Sequence, residues 1–292
     1  MSNKTVIVTG VGGQLGWSIK QLSCQYPTLD FIFVDVAEMD LSSEQSISNF
    51  IQQNPPAYFI HCAAYTAVDK AETEKEIALA VNATAVEVIA KECAALNAKL
   101  ITISTDYVFD GNGKKPYQPY DATDPLNYYG YSKWVGEQAA LKNNPATVII
   151  RTSWVYCEHG NNFVKTMLRL MEERDELKVI SDQVGCPTYA PDLAKAILTI
   201  VDAWENGNAH KGIYHFSNSG VISWFDFAVA IRDLSSLSCH VLAIPTTEYP
   251  TPAKRPAYSV MDTSSIVQDF NVAIPEWKES LKFVYGNWQR HK

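Results

Sequence analysis

Five short apolar runs rich in β-branched residues alternate with helical stretches along the first half of this 292-residue chain. The strand-like runs are Lys4 to Thr9, Phe31 to Val34, Tyr58 to Cys62, Lys99 to Ser104 and Thr147 to Arg151. Between them Gln14 to Cys24, Ser42 to Gln53, Glu74 to Leu96 and Tyr128 to Leu141 carry helical spacing. This alternation predicts an α/β fold with a doubly wound, parallel, Rossmann-like sheet and right-handed crossovers. After about residue 155 the pattern loosens. Helical stretches at Asn162 to Arg174 and Ala190 to Glu205 flank a loop with Gly185 and Pro187. A strand at Tyr214 to Ser217, a helix at Ser223 to Asp233 and the Pro-rich run Pro245 to Pro256 follow. The expected division is a Rossmann domain over residues 1–178 and a smaller C-terminal α+β lobe over residues 179–292. A helix near residues 190–206 is expected to pack back on the first domain.

Composition narrows the function. Hydrophobic residues make up 47% of the chain and charged residues 19%, enough for a sizeable core. A net charge of −8 argues against a nucleic-acid partner, which needs a basic footprint. The six cysteines show no C-x-x-C spacing and the six histidines no H-E-x-x-H, so no metal site is expected. No apolar run approaches the ~20 residues that span a bilayer, so no membrane partner is expected. The strand-like start leaves no room for a signal peptide, and with unpaired cysteines this predicts a cytoplasmic protein.

Two constellations carry chemistry. Gly10, Gly13 and Gly16 give a G-x-x-G-x-x-G spacing between the first strand and the first helix. Such a turn lets the backbone approach a pyrophosphate, with Gln14 and Leu15 opening a helix whose free N–H groups face the anion. Asp35 closes the second strand, where a carboxylate accepts hydrogen bonds from an adenosine ribose. It leans toward NADH because it repels a 2′-phosphate. Further on, Tyr129 and Lys133 lie four apart on one helix face. A phenol with a reference pKa near ~10 needs roughly 3–4 kcal/mol of help to ionise near neutrality, and an adjacent ammonium supplies part of it. Tyr129 is then the proton donor to a carbonyl, while Lys133 also holds the nicotinamide ribose. Thr105 ends the fourth strand, where it can polarise the same carbonyl. Trp154 follows the fifth strand and offers an aromatic face to a pyranose or a base. Arg255, in the Pro-rich run, offers a bidentate clamp for a diphosphate.

At these residues the chain resembles the extended short-chain dehydrogenases and, more narrowly, the dTDP-4-dehydrorhamnose reductase family. The resemblance also rests on Ala63 to Glu72, Val81 to Thr84, Ser104 to Gly111, Tyr129 to Glu137, Arg151 to Tyr156, Gly160 to Phe163, Asp182 to Thr188 and Pro252 to Pro256. It implies reduction of the 4-keto group of dTDP-4-dehydro-L-rhamnose to dTDP-L-rhamnose. It also implies dinucleotide contacts from Gly13, Gln14, Leu15, Asp35, Asp40, Leu41, Ala64, Tyr65 and Thr66. Thr105, Tyr129 and Lys133 would be the catalytic set, with Asp106 and Trp154 facing the sugar. The family leans to NADPH and Asp35 to NADH, so the expected cofactor is NADPH or NADH. Some relatives dimerise around a magnesium ion held by acidic residues. Ser18 and Pro191 stand at two of those positions, so the expectation is a monomer or a metal-free homodimer. Similar dehydratases carry a glutamate after the Thr-Asp pair; Tyr107 stands there, which favours plain reduction. The alternatives are another nucleotide-sugar 4-ketoreductase or a non-catalytic NAD(P)-binding regulatory subunit.

Overall fold

Alternate residues of the strand runs enter opposite cores. Val6 and Val8 of β1 (Lys4–Thr9), Tyr58 and Ile60 of β3 (Tyr58–His61), Ile101 of β4 (Lys99–Thr105) and Val148 and Ile150 of β5 (Thr147–Thr152) share one face. There they meet Leu15 and Ile19 of α1 (Gln14–Leu22) and Leu193, Ile197, Ile200 and Val201 of helix Ala190–Glu205. Ile7, Phe59, Leu100 and Ile149 point the other way. They pack on Ile47 and Ile51 of helix Glu44–Gln53, Val86 and Ile89 of helix Ala85–Ala95, and Ala140 of helix Tyr128–Asn143. The period of two along each strand therefore feeds two buried faces, the hallmark of a parallel sheet between helical layers. Each such fully buried aliphatic side chain contributes roughly 1.5–3 kcal/mol.

The protein, described over residues 3–290 by a computed structural model, has a six-stranded parallel sheet. The order is Gly212–His215, β5, β4, β3, β1 and β2 (Leu29–Val34). β2 and β3 lie on opposite sides of β1, so the chain reverses direction across the sheet there. In open α/β sheets ligands sit outside the strands' carboxyl ends at such a reversal. No helix among the described residues is long and apolar enough to cross a membrane.

The structure departs from the sequence expectation in several elements. The strand predicted at Tyr214–Ser217 runs over Gly212–His215 and joins the central sheet, with Ile213 opposite Ile149 of β5. The helical stretch Glu74 to Leu96 is interrupted: Lys75–Leu79 and Ala85–Ala95 are separated by a π turn over Ala80–Thr84. Two strands without a sequence prediction, Glu176–Ile180 and His240–Ile244, pair in parallel. They form a second core with helices Phe163–Glu173 and Trp224–Ser235, around Met167, Leu168, Leu177, Val179, Phe227 and Ile231.

A buried ion pair fastens helix Tyr128–Asn143 to the sheet. Arg151 of β5 donates from Nε and Nη2 to the two Glu137 oxygens at 2.8 and 2.6 Å, and from Nη1 to the Pro119 carbonyl at 2.9 Å. The guanidinium lies over the Phe109 ring, 4.9 Å from its centroid. Both side chains are 2% exposed, so this bidentate geometry offsets a large desolvation cost, and either partner alone would be a stranded charge. Glu137→Gln is expected to cost roughly 3–5 kcal/mol in urea unfolding, and adding Arg151→Met should recover most of it. A Glu137→Gln protein as stable as the parent would mean that the pair does not hold the helix.

Candidate active site

Every strand of the sheet's central part ends in a chemically distinctive residue, and the glycine turn after β1 comes first. Gly10 has φ +70°, and a Cβ there would lie 2.8 Å from the Ala63 backbone nitrogen beyond β3. A Cβ on Gly16 would lie 2.3 Å from the Gly10 carbonyl oxygen, so α1 starts as close to the turn as backbone allows. Gly13 is the N-cap of α1 and supplies no side-chain cap, and the first turn holds no acidic residue. The opening N–H groups of α1 are thus free to face an anion. This cradle fits the diphosphate of a dinucleotide.

The neighbours of the turn are committed in ways that spacing does not reveal. Asp35 accepts from the Gly12 amide at 2.8 Å and the Val36 amide at 2.9 Å, which ties the end of β2 to the turn. The Gln14 side chain leaves the cradle: Nε2 donates to the Val155 carbonyl at 3.2 Å and Oε1 accepts from Asn162 at 3.0 Å. The Leu15 side chain is buried in the core, leaving its backbone for the ligand. Asp40 is exposed and accepts from the Ser42 amide and hydroxyl, which holds its carboxyl below the usual range. Leu41 packs on the core beside it. Ala64, Tyr65 and Thr66 leave β3 next to the turn. The Tyr65 hydroxyl donates to Glu74 at 2.5 Å.

Thr105, Asp106 and Tyr129 come together at the end of β4. The Thr105 hydroxyl donates to Asp106 Oδ1 at 3.0 Å and accepts from the Tyr107 amide at 3.2 Å. Helix Tyr128–Asn143 starts on Asn127, whose side chain caps the Gly130 amide at 2.8 Å. A Cβ on Gly130 would lie 2.2 Å from the Tyr107 carbonyl oxygen, so the helix sits directly on the β4 corner. The Tyr107 and Tyr129 rings meet edge to face at 5.8 Å. Lys133, 5% exposed, lies one turn on, near His61 and Cys62 at the end of β3.

Burial sets the electrostatics. It pushes the Tyr129 phenol up to about 12, opposed by the contact with the Thr105 hydroxyl and reinforced by the Asp106 carboxylate. Desolvation of the phenolate thus outweighs the favourable contact with Thr105, and Lys133 is not among the neighbours that offset it. Burial also brings the Lys133 ammonium down to about 8, against the pull of Glu137 and Cys62. Asp106 is pushed up to about 7 by burial, against hydrogen bonds from Ser259 and Thr105, and its Oδ2 has no partner. His61, beside Lys133, is brought down to about 3 by burial and by that charge.

On the far side, Trp154 has φ +47°, a strained position for a bulky residue, and stacks on Trp224 at 3.6 Å. Arg255 is paired: Nη1 and Nη2 donate to the Asp69 carboxylate at 3.0 and 2.8 Å, and Nη1 also reaches the Ala253 carbonyl. Asp69, Tyr107, Trp224 and Arg255 share the lining of a cavity of about 640 Å³ with Phe163 and Met167. Ser18 donates to the Gln14 carbonyl and Pro191 opens helix Ala190–Glu205. Among the described residues no His, Cys, Asp and Glu cluster has metal-binding geometry.

Sequence spacing misses Asn82, which sits in the π turn. Its Oδ1 accepts from the Tyr65 amide at 2.9 Å, and its Nδ2 donates to the Tyr65 carbonyl and to Ser132, both at 3.0 Å. Ser132 donates in turn to the Tyr129 carbonyl. One buried amide thus joins the segment after β3 to the helix carrying Tyr129 and Lys133. A π turn is the one signal that marks such a position, and it is not visible as an apolar period. Trp224 is missed likewise.

Comparison with known proteins agrees with this geometry. The family profile described as RmlD substrate binding domain matches residues 4–289. A dTDP-4-dehydrorhamnose reductase of Aggregatibacter actinomycetemcomitans is 41% identical over 285 residues, covering 95% of this chain and 97% of its own. A dTDP-4-dehydrorhamnose reductase crystal structure from Clostridium acetobutylicum superposes with a TM-score of 0.92 at 38% identity, covering 98% of this chain and 99% of its own. One from Bacillus anthracis, in complex with NADP, also reaches 0.92, at 37% identity and the same coverage. A reductase-type sheet edge and end-to-end similarity at this level converge: the chain belongs to the dTDP-4-dehydrorhamnose reductase family.

Proposed function

We propose that this protein reduces the 4-keto group of dTDP-4-dehydro-L-rhamnose to dTDP-L-rhamnose, with NADPH or NADH, in the cytoplasm, as a monomer or metal-free homodimer. The observation that carries this reading is the half-buried Tyr129 phenol beside Thr105 and Asp106 at the end of β4, on the helix that Asn82 and Ser132 join to the segment after β3. When bound, the reduced nicotinamide supplies the hydride. Tyr129, neutral across the physiological range, holds the proton that the carbonyl oxygen needs. Lys133 is charged at neutral pH and steadies the phenolate left behind. Thr105 has one proton, committed to Asp106; a carbonyl oxygen at Thr105 draws it across, and a protonated Asp106 frees it. The unpartnered Asp106 Oδ2 is the acceptor for a sugar hydroxyl. The cavity by Trp224 takes the nucleotide, with Arg174, Lys178 and Arg255 supplying positive charge to its diphosphate. For Arg255 this means sharing the carboxylate of Asp69 with the phosphate or exchanging one for the other. Tyr107, whose phenol burial raises far above neutrality, stands where dehydration would need an acid.

The direct test is turnover of dTDP-4-dehydrorhamnose with each reduced cofactor, the product identified by NMR. Dinucleotide binding without turnover of any 4-keto sugar nucleotide would favour a regulatory subunit. Tyr129→Phe should lower kcat at least about 100-fold while leaving dinucleotide affinity within about 2-fold, because only the proton is lost. Substantial residual kcat would remove Tyr129 from the acid role. Asp35→Ala should shift the ratio of NADPH to NADH kcat/KM upward by about 10-fold, since a carboxylate beside the ribose is removed; an unchanged ratio would place Asp35 away from the 2′ position.

Lys133 gives a prediction with a sign in pH. Its folded pKa lies below the unfolded value, so the unfolded chain binds more protons between about 8 and ~10.4, and stability rises with pH across that window. Below about 8 the buried charge is a net cost. Activity should therefore fall as the pH is raised through about 8, while Lys133→Met should raise Tm at pH 7 by roughly 2–4 °C per kcal/mol relieved and lose turnover. A lower Tm in Lys133→Met would show that the ammonium is not a burden to the fold.

A further inference from the structure

The segment Cys157–Asn162 crosses the glycine turn, and three side chains stitch it there. His159 Nε2 bonds the Gly12 carbonyl at 2.9 Å, and because a carbonyl only accepts, that nitrogen carries the proton. The imidazole stacks on Trp17 of α1 at 5.2 Å and 6°. Asn162 donates to Gln14 Oε1 at 3.0 Å and to the Cys157 carbonyl at 2.7 Å, and Gln14 Nε2 reaches the Val155 carbonyl. The Gly12 backbone is thus held at both of its polar atoms, its N–H by Asp35 and its carbonyl by His159.

The same segment belongs to the other half of the site. It begins three residues after Trp154, and Asn162 caps helix Phe163–Glu173 by accepting from the Lys165 amide at 3.1 Å. Phe163, Thr166, Met167 and Leu170 of that helix line the 640 Å³ cavity. A diphosphate that draws on the Gln14 and Leu15 amides therefore bears on Gln14 and on the adjoining turn at Gly12, and both are bonded to the chain that frames the second pocket.

We propose that His159 and Asn162 are positioning residues that couple the two pockets, so that an occupied dinucleotide cradle tightens binding of the sugar nucleotide. This rests on the assignment of the cavity to a nucleoside diphosphate sugar. By linkage the effect is reciprocal: the nucleotide tightens the dinucleotide by the same factor. Fixing the strap once serves both ligands, so the second to bind orders less of the chain.

The test is calorimetric titration of the whole protein with dTDP, with and without saturating NADP⁺, and requires no turnover. In the parent protein the dTDP Kd is expected to fall by at least about 5-fold when NADP⁺ is present, the lower end of usual coupling. His159→Phe keeps the stack on Trp17 and loses the bond to Gly12. Asn162→Ser keeps the helix cap and is too short to reach Gln14. In the double variant the ratio should drop to within about 2-fold of unity, while dTDP affinity without NADP⁺ stays within about 3-fold of the parent value. A merely structural role would lower both affinities and Tm and leave the ratio intact, which would overturn the proposal. So would a parent ratio of one. Should the double variant not fold, the His159→Phe ratio alone decides, and a value equal to the parent's counts against coupling. A parent protein that reduces the sugar but shows no coupling sinks this inference alone; absence of both dTDP binding and turnover in the parent sinks the functional assignment beneath it.

Discussion

A sheet covered on both faces leaves only its strand ends for chemistry, and that constraint organises the molecule. Val6 and Ile7, one residue apart, face different helical layers and are both fully buried. A ligand can reach such a sheet only where the strands stop. Gly10, Asp35, Ala64, Asp106 and Trp154 each lie just past a carboxyl end, and Thr105 is the last residue of its strand. The turn at Gly10 and the seat of Gly130 on Tyr107 bring two helices to this edge at backbone contact distance. The arrangement of side chains at this edge is then a by-product of close helix-to-strand packing.

Placing ionisable groups at a buried edge carries an electrostatic cost that the surroundings meet unevenly. Arg151 and Glu137 satisfy each other almost completely. Lys133, Asp106 and Tyr129 do not, and each is pushed toward its neutral form. For a reductase this imbalance is useful: a neutral phenol is the form that gives up a proton, and an ammonium near its titration point responds strongly to charge developing nearby. The Asp106 carboxyl is pushed up to about 7 by burial, and its Oδ2 has no partner among the described residues.

The second core serves the first. Trp154 emerges from β5 in a left-handed conformation, stacks on Trp224 and leads into the Cys157–Asn162 segment that lies across the glycine turn. Helix Phe163–Glu173 then carries the chain along the cavity wall. This stretch links the glycine turn to the helix that lines the cavity.

What the sequence alone determined was the sheet and its edge. Continuous β-branched runs alternating with helical spacing have few folded solutions, so β1 to β5, the glycine turn and the Tyr129–Lys133 helix face were all legible. Local pattern was enough because each depends on residues close together in the chain. Tertiary structure alone decided the rest. Glu176–Ile180 and His240–Ile244 become strands only by pairing across a long separation, and Gly212–His215 joins the central sheet only because β5 leaves an edge open. The Gln14 side chain turns to Asn162, and Arg255 to Asp69, because the fold brings those partners within reach. The Tyr129–Lys133 spacing can be read from the sequence, but the desolvation that raises the Tyr129 phenol cannot. Partners and desolvation are properties of where the chain arrives, and no local run of residues encodes them.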